Sequence, residues 1–212
     1  VIYIIFSEWM QAIEDFPLFL LIGMVSWNFF SAATNISVTS IMRYSNFVKN
    51  IPFPKICIVI ASVLSIVFSH IIEIAVVVAI CFIVKGPSFY ALLLIPLLML
   101  NILLAVGFAI ILSIIGVYFL DMQRIWGLLT SLGFFLTPIF YSLEMLSPQR
   151  QMIIKLNPMT HTIQAARDAL IGFSFPQSYG GLVYVFTLAL FLIVFGYLLF
   201  KKFEGHFVEK IQ

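Results

Sequence analysis

The chain has 212 residues, of which 63% are hydrophobic and only 9% are charged, and its formal net charge is +2. A soluble domain is about half apolar and about a quarter charged, so this composition excludes an ordinary water-soluble protein and requires membrane lipid as a second solvent. The small net charge and the lack of a dense basic cluster exclude nucleic acid as a partner.

Long apolar runs divide the chain into membrane spans, each of which needs about 20 mostly apolar residues. Complete candidates lie at 16–38, 56–84, 89–119, 125–143 and 182–200, and residues 1–6 have the composition of the end of another span. Because the chain begins at Val1 inside that apolar run, we expect an N-terminal piece to be missing. The prediction is one all-α transmembrane domain over 1–212, with six spans of which the first is truncated.

The distribution of lysine and arginine among the short connections predicts the orientation in the membrane. Seven of these eleven residues fall in alternate connections and the tail, and four fall on the opposite side. The first set is Arg43, Lys49, Lys55, Arg124, Lys201, Lys202 and Lys210, and the second is Lys85, Arg150, Lys155 and Arg167. This bias predicts that the loop at 41–55 and the tail at 201–212 are cytoplasmic, in a protein of the cell membrane.

The loop at 41–55 contains the stretch SNFVKNIPFP. Phe47 and Val48 are two adjacent apolar side chains in a segment that is otherwise polar. Pro52 and Pro54 favour an extended exit from it. The pattern predicts a short rigid segment at the cytoplasmic surface, which retention of positive charge alone does not require.

Two groups of aromatic residues stand out, one in the span at 16–38 and one at the end of the span at 125–143. The span at 16–38 also has an unusual density of hydroxyl and amide side chains, which need polar partners in a membrane. Pro138 should break or kink the span at 125–143. The candidate residues are Trp27, Asn28, Phe30, Phe134, Phe135, Phe140 and Tyr141. They form either an interfacial aromatic belt or a path whose flat faces contact sugar rings.

His70 and Glu73 are an ionisable pair within an apolar run, and their i, i+3 spacing places them on one helical face. Charged groups at membrane depth are costly and suggest a functional site. The pair is either a mutually satisfied contact between helices, part of a polar pathway wall, or a proton relay.

Asp121 and Arg124 lie at the other cytoplasmic turn, also with i, i+3 spacing. The two can form an ion pair while the chain reverses direction, and Asp121 can also cap the helix that follows. A structural turn is the simpler interpretation.

Residues 144–181 are too polar to span and too patterned for a loose loop. Asn157 occupies an N-cap position with Pro158 after it, and Gly172 is placed to end the helix that follows. We expect two short amphipathic helices within 145–171 on the outer side, before and after Asn157. They are either an interfacial hairpin or a lid over an exit.

Several motifs are absent from the sequence, including the P-loop G-x-x-x-x-G-K-[ST], H-E-x-x-H and G-x-S-x-G. The chain is therefore not expected to be an enzyme by itself, and any nucleotide-driven work needs another chain.

Five stretches together resemble a known family: PLFLLIGMVSWNFFSAA, NFVKNIPFPKI, YFLDMQRIWGLLTSLGFFLTPIFY, LNPMTH and GYLLFKKFEGHFVEKI. In this order and spacing the chain resembles the membrane subunit of ABC type-2 exporters, in the branch that exports O-antigen, capsular polysaccharide and teichoic-acid-type polymers. It departs from the pattern at one turn, where Leu120 precedes Asp121 in place of the usual arginine. The pairing usually made there is shifted to Arg124 or lost.

The resemblance implies a six-span permease with two outer gate helices, here at about 145–155 and 158–171. Two copies of the permease form a pore, and two copies of a separate ATPase dock beneath it and bind ATP and magnesium, so this chain needs no cofactor or metal. The segment matching the family's coupling helix is Ser45, Asn46, Phe47, Val48, Lys49 and Asn50. The aromatic residues named above would line the path of a lipid-linked glycan.

Three functions compete at this point. The first is an ATP-driven permease for lipid-linked polysaccharide, with a type-2 permease for a small lipid or drug as its variant. The second is a proton-coupled carrier using His70 and Glu73, although such carriers usually place ionisable groups in several spans. The third is a membrane-embedded enzyme, for which Glu8, Glu14 and Asp15 lack ligand spacing.

Overall fold

Helices make up most of the computed structural model, which describes residues 15–45 and 53–207. In chain order they are α1 (Phe16–Val38), α2 (Ser40–Arg43), α3 (Ile56–Lys85), α4 (Leu94–Tyr118), α5 (Met122–Leu136), α6 (Pro148–Ile154), α7 (Pro158–Leu170) and α8 (Tyr179–Phe203). Short 3₁₀ turns cover Phe89–Leu93, Leu143–Met145 and Glu204–His206. Within the described ranges there is no strand, and the expected all-α class is confirmed. The span end predicted at 1–6 lies outside those ranges.

Four apolar stretches of the described chain are long enough to cross a membrane: α1, α3, the run Phe89–Tyr118 and the run Tyr179–His206. On α3 the side chains of Phe68, Ile72 and Ile83 are 76%, 68% and 84% exposed. Leaving such apolar surface in water costs roughly 25 cal/mol per Å², whereas lipid accepts it. The chain is therefore a multi-pass membrane protein.

The centre of the bundle is α4, which packs against α8, α1 and α3. Phe29 of α1, Val63 of α3 and Ala105 of α4 belong to one fully buried apolar cluster. At Gly116 of α4 the backbone approaches α1 so closely that a Cβ atom would overlap the carbonyl group of Val38. Small residues at helix contacts are typical of membrane bundles, where association depends on close packing.

The helix α5 is shorter than the span predicted at 125–143. It has 15 residues, which correspond to about 22 Å at 1.5 Å per residue, less than the apolar thickness of about 30 Å. Pro138 is the cause, because the residue before a proline is pushed out of the helical region. Accordingly Thr137 is extended, with φ −79° and ψ 141°, and the chain beyond it is not part of the helix.

The polar segment before α8 folds as two short helices, α6 and α7, on either side of Asn157. The backbone N–H of Met159 donates to Asn157 Oδ1 over 3.0 Å, so the predicted N-cap is confirmed. Pro158 occupies the first helical position. The helix ends at Leu170, just before Gly172. We call the pair α6–α7 the outer hairpin, after the side of the membrane on which the sequence leads us to expect it.

Candidate functional site

A cavity of about 330 Å³ lies between α1 and α5, and we call it the α1–α5 cavity. Trp27, Asn28 and Ser31 of α1 and Thr130, Ser131, Phe134 and Phe135 of α5 form its walls. Helical periodicity explains the set, since residues three or four apart share a face. The walls combine flat aromatic surfaces with hydroxyl and amide groups. Such a wall can contact the C–H faces and the hydroxyls of one ligand at once.

Four of the seven predicted path residues, Trp27, Asn28, Phe134 and Phe135, are brought together in this cavity. Phe140 extends the aromatic wall, because its ring centroid lies 5.2 Å from that of Phe134 and 6.1 Å from that of Phe135. The three phenylalanine rings form a continuous aromatic surface where α5 ends.

The remaining two predicted path residues lie elsewhere. Phe30 is 6% exposed and packs edge-on against Phe108 of α4, with a centroid distance of 5.4 Å, because its position on α1 faces the bundle centre. The hydroxyl of Tyr141 donates to the backbone carbonyl of Leu136 over 2.9 Å. Tyr141 thus satisfies one of the orphan carbonyls at the end of α5.

Side-chain hydrogen bonds hold α5 against α1. The Asn35 amide donates to Thr130 Oγ1 over 3.2 Å, and the Trp126 indole N–H donates to Thr34 Oγ1 over 2.9 Å. A Cβ atom on Gly133 would lie 2.8 Å from the Trp27 ring, so the glycine makes room for the indole. Sequence reasoning had noted the polar residues of α1 but not their partners on α5. The i, i+4 spacing of Trp126 and Thr130 was the available signal.

Arg167 of α7 joins three elements at the outer hairpin, and sequence reasoning had counted it only as a loop charge. It donates to the carbonyl of Pro138 over 2.7 Å, to that of Ile139 over 3.0 Å, and through two nitrogens to that of Phe19 over 3.0 and 3.1 Å. Its guanidinium carbon lies 3.3 Å from the centroid of the Phe19 ring. The planar fork of arginine makes this multiple contact possible.

The environment of Arg167 is unusual because the side chain is only 7% exposed. Burial lowers the pKa of its guanidinium to about 9, so the group remains charged at neutral pH. Gly23 of α1 leaves space for it, since a Cβ atom there would lie 2.7 Å from Nη2. The break at Pro138 frees backbone carbonyls that a helix would have occupied, and Arg167 binds them. Asn157 adds a second tie, donating to Thr137 Oγ1 over 2.8 Å.

His70 and Glu73 form the predicted contact, with 3.3 Å between His70 Nδ1 and Glu73 Oε2. His70 is 3% exposed and its ring stacks on Phe29 of α1 at a centroid distance of 4.3 Å. Glu73 is 48% exposed on the outer surface of α3. Neither residue lines the α1–α5 cavity.

At the opposite end of the bundle, Arg124 Nη1 and Asp121 Oδ1 lie 3.5 Å apart and both side chains are exposed. Asp121 occupies the N-cap position of α5, but its side chain makes no capping hydrogen bond. Of the predicted coupling segment, only Ser45 is within the described ranges, and residues 46–50 lie outside them. The exit of that loop is tied to the tail: the Lys55 N–H donates to Glu204 Oε1 over 2.9 Å, and Lys55 Nζ donates to the Glu204 carbonyl over 3.1 Å.

Comparison with known proteins gives a family and several relatives. The O-antigen export system permease protein RfbA of Klebsiella pneumoniae is 28% identical over 210 residues, covering 98% of this chain and 80% of that protein. The polysialic acid transport protein KpsM of Escherichia coli is 27% identical over 162 residues, covering 74% and 62% respectively. The protein RfbA of Myxococcus xanthus is 24% identical over 152 residues, covering 70% and 58%. The family model described as ABC-2 type transporter matches residues 1–171, and the chain belongs to this family.

Proposed function

We propose that this chain is the membrane subunit of an ATP-driven exporter that moves lipid-linked polysaccharide, of the O-antigen, capsular or teichoic-acid type, across the cytoplasmic membrane. The relatives whose names state a cargo are O-antigen export and polysialic acid transport proteins. Membership of the ABC-2 family implies an ABC transporter system with an ATPase partner. The chain itself is a transport subunit and does not carry out the hydrolysis.

The observation that carries the proposal is the wall of the α1–α5 cavity. Phe134 and Phe135 offer aromatic faces, Trp27 is buried behind them in the wall, and Asn28 and Ser131 offer polar groups beside them. Aromatic faces contact pyranose C–H surfaces without fixed hydrogen bonds. A cargo that must move on needs contacts that are numerous and individually weak, as in conduction through a channel. A small apolar drug would not require the polar half of the wall.

Energy would enter from a separate ATPase, two copies of which dock beneath a homodimer of this permease. The docking element in this proposal is the segment from Ser45 to Asn50. Its exit is joined to the end of the last span through Lys55 and Glu204. A push on the loop would therefore reach α3 and α8 together and open a path between the two protomers. ATP and magnesium would be bound by the ATPase and not by this chain.

The proposed orientation places residues 41–55 and the tail in the cytoplasm, and the outer hairpin on the opposite side. An ion pair between Lys85 at the end of α3 and Asp15 before α1 supports placing these two ends together on the outer side. The exit residue Lys55 and Glu204 after α8 likewise meet at a common end. The seven lysine and arginine residues that the sequence assigns to these connections and the tail agree with the positive-inside rule.

A proton-coupled carrier is not favoured. His70 and Glu73 pair with each other on one helix, and His70 is enclosed against Phe29. This geometry supports a contact that satisfies polar groups between helices. The variant function of a small-lipid permease is not favoured either, because the names of the relatives refer to polysaccharides.

The test is glycan export by the permease together with the ATPase encoded beside it. The two proteins should co-purify, and substitution of the P-loop lysine of the ATPase should abolish glycan at the cell surface. Phe47→Asp in the permease should leave the protein inserted in the membrane but abolish export, because a charge replaces an apolar side chain of the docking segment.

Two results would contradict the proposal. Export that continues after the P-loop substitution would exclude ATP as the energy source. Export that is unchanged in Phe47→Asp would exclude residues 45–50 as the docking element while leaving the rest of the proposal in place.

A further inference from the structure

A second cavity, of about 410 Å³, lies against the outer hairpin, away from Arg167. Its volume falls in the range of about 300–1,000 Å³ that is typical of small-molecule sites. The polar side chains that line it come from α6, α7, the 3₁₀ turn Leu143–Met145 and the segment before α8. They include Glu144, Gln151, Lys155, Gln164, Asp168 and Gln177. We call it the hairpin cavity.

The arrangement follows from the spacing on α7. Gln164 and Asp168 are separated by four residues and so project from one helical face, and Ala165 between them keeps the floor of the cavity low. Pro158 and the Asn157 cap fix where this helix begins. The same helix is anchored to the bundle by Arg167, so the cavity has a rigid floor.

Much of the hydrogen-bonding capacity in this cavity is unused. Asp168 Oδ2 accepts from the backbone N–H of Gln177 over 3.0 Å, which leaves the other carboxylate oxygen open. Glu144 and Lys155 are exposed and Gln164 is half-buried, and their side chains have no hydrogen-bond partner among the residues the structure describes. The Gln151 amide already donates to the Leu146 carbonyl over 3.1 Å. His161 contributes only the edge of the wall, because Nε2 bonds to the Lys155 carbonyl and Nδ1 faces Gly181 of α8.

The chemistry of the lining selects among ligands. Two carboxylates against one ammonium disfavour phosphate and other anions. In the described part of the chain no three His, Cys, Asp or Glu residues are grouped so as to hold a metal ion. A lipid tail is disfavoured because the side chains lining the cavity are mainly polar. Carboxylate oxygens accept, the ammonium donates and amides do both, which together match adjacent hydroxyls that are themselves donors and acceptors.

We propose that the hairpin cavity binds one neutral pyranose unit of the glycan on the outer side of the membrane, an inference that rests on the proposed function. Its contacts differ in kind from those of the α1–α5 cavity. Aromatic faces allow a sugar to slide, whereas directional hydrogen bonds hold it: its hydroxyls donate to Glu144 and Asp168, and the Gln164 amide both donates and accepts. The hairpin cavity therefore retains a sugar that has emerged and opposes its return.

The experiment uses saturation-transfer NMR to measure sugar binding by the permease–ATPase complex in lipid nanodiscs. The four probes are glucose, galactose, mannose and N-acetylglucosamine. The key variant is Gln164→Met, which keeps the side-chain size and removes two hydrogen bonds to the ligand. We expect binding of at least one sugar by the wild type and about tenfold weaker binding by Gln164→Met. Glu144→Gln should weaken binding of the same sugar, because it removes a charged acceptor.

The matched control is Gln123→Met, an exposed position at the other end of the bundle, which should bind sugar as the wild type does. Absence of transfer to all four sugars, or an affinity that is unchanged in both Gln164→Met and Glu144→Gln, overturns the inference. Displacement of the sugar by calcium or by inorganic phosphate also overturns the assignment to a neutral sugar. Export is measured in parallel. If the wild type exports glycan but binds no sugar, only the hairpin site is excluded. If it binds sugar but exports no glycan, the proposed function is excluded and the hairpin site is retained.

Discussion

Replacing Arg167 by methionine removes the cation that ties α7 to α1 and to the chain beyond α5. The variant keeps the long apolar stem and so isolates the effect of the guanidinium. Three backbone carbonyls, those of Phe19, Pro138 and Ile139, lose their donor. The hydrogen bonds to Pro138 and Ile139 are buried. Both carbonyls lie beyond the end of α5, so the hydrogen-bond ladder of that helix does not supply a substitute partner.

The magnitude follows from those contacts. Hydrogen bonds from charged donors contribute about 1.5–3 kcal/mol each in soluble proteins, but hydrogen bonds in membrane bundles average only about 0.6 kcal/mol, with a maximum near 1.7. Taking about 1 kcal/mol for each of three carbonyls gives about 3 kcal/mol. The variant also avoids the cost of burying a charge, which partly offsets this loss. We expect a net destabilisation of about 2 kcal/mol.

The assay is thermal unfolding of the purified complex, followed by the loss of monodisperse protein. A loss of about 2 kcal/mol should lower Tm by roughly 5 °C for a chain of this size. The Tm of Arg167→Lys should lie between those of the wild type and Arg167→Met, because lysine retains the charge but not the planar fork. Arg150→Met, at an exposed position on α6, is the control and should stay within about 0.5 kcal/mol of the wild type. An Arg167→Met variant that melts with Arg150→Met would refute the reasoning.

Three further predictions follow from single contacts. Glu73→Gln should retain full ATP-dependent export, since the His70–Glu73 contact is structural, and a loss of export at unchanged protein level would argue against this. Asn35→Leu removes the amide that donates to Thr130 and should destabilise the complex by about 1 kcal/mol, measured as a lower Tm; an unchanged Tm would show that α5 is held by other contacts. Burial raises the pKa of Asp168 above its ordinary value, with a smaller opposing effect from the Gln177 N–H. Because the folded state then binds the proton more tightly than the unfolded state, stability should fall as pH rises through that raised pKa. Asp168→Asn should abolish that pH dependence in a melting series, and a pH dependence that persists in the variant would refute the assignment.

Sequence periodicity and composition predicted the class of the fold because lipid imposes a simple rule, that apolar runs of sufficient length become helices. The N-cap at Asn157 was also predictable, since a capping side chain acts on a neighbour two residues away. The i, i+3 contact of His70 with Glu73 is local in the same sense. These features depend on short separations along the chain.

Features that depend on distant partners could not be predicted from one sequence. Arg167 resembled any other loop arginine, and its partners at Phe19 and Pro138 are 148 and 29 residues away. Phe30 belongs to the same aromatic group of the sequence as Trp27, but the helical rotation between Asn28 and Phe30 turns Phe30 toward Phe108. The end of α5 was placed too late because hydropathy continues past Pro138 while the helix does not.

The short length of α5 has a consequence for the energetics of a hydroxyl-rich cargo. Each hydroxyl that leaves water without a new partner costs roughly 2–7 kcal/mol, so the dehydrated distance governs the barrier to passage. The length of the path over which the cargo is out of water depends on the length of the wall beside it. The helix α5 makes up only about 22 Å of that wall, at 1.5 Å per residue. Beyond Leu136 the polar hairpin replaces helix and lipid. Pro138 thus shortens the apolar part of the path on this side, although the thickness of the bilayer does not change.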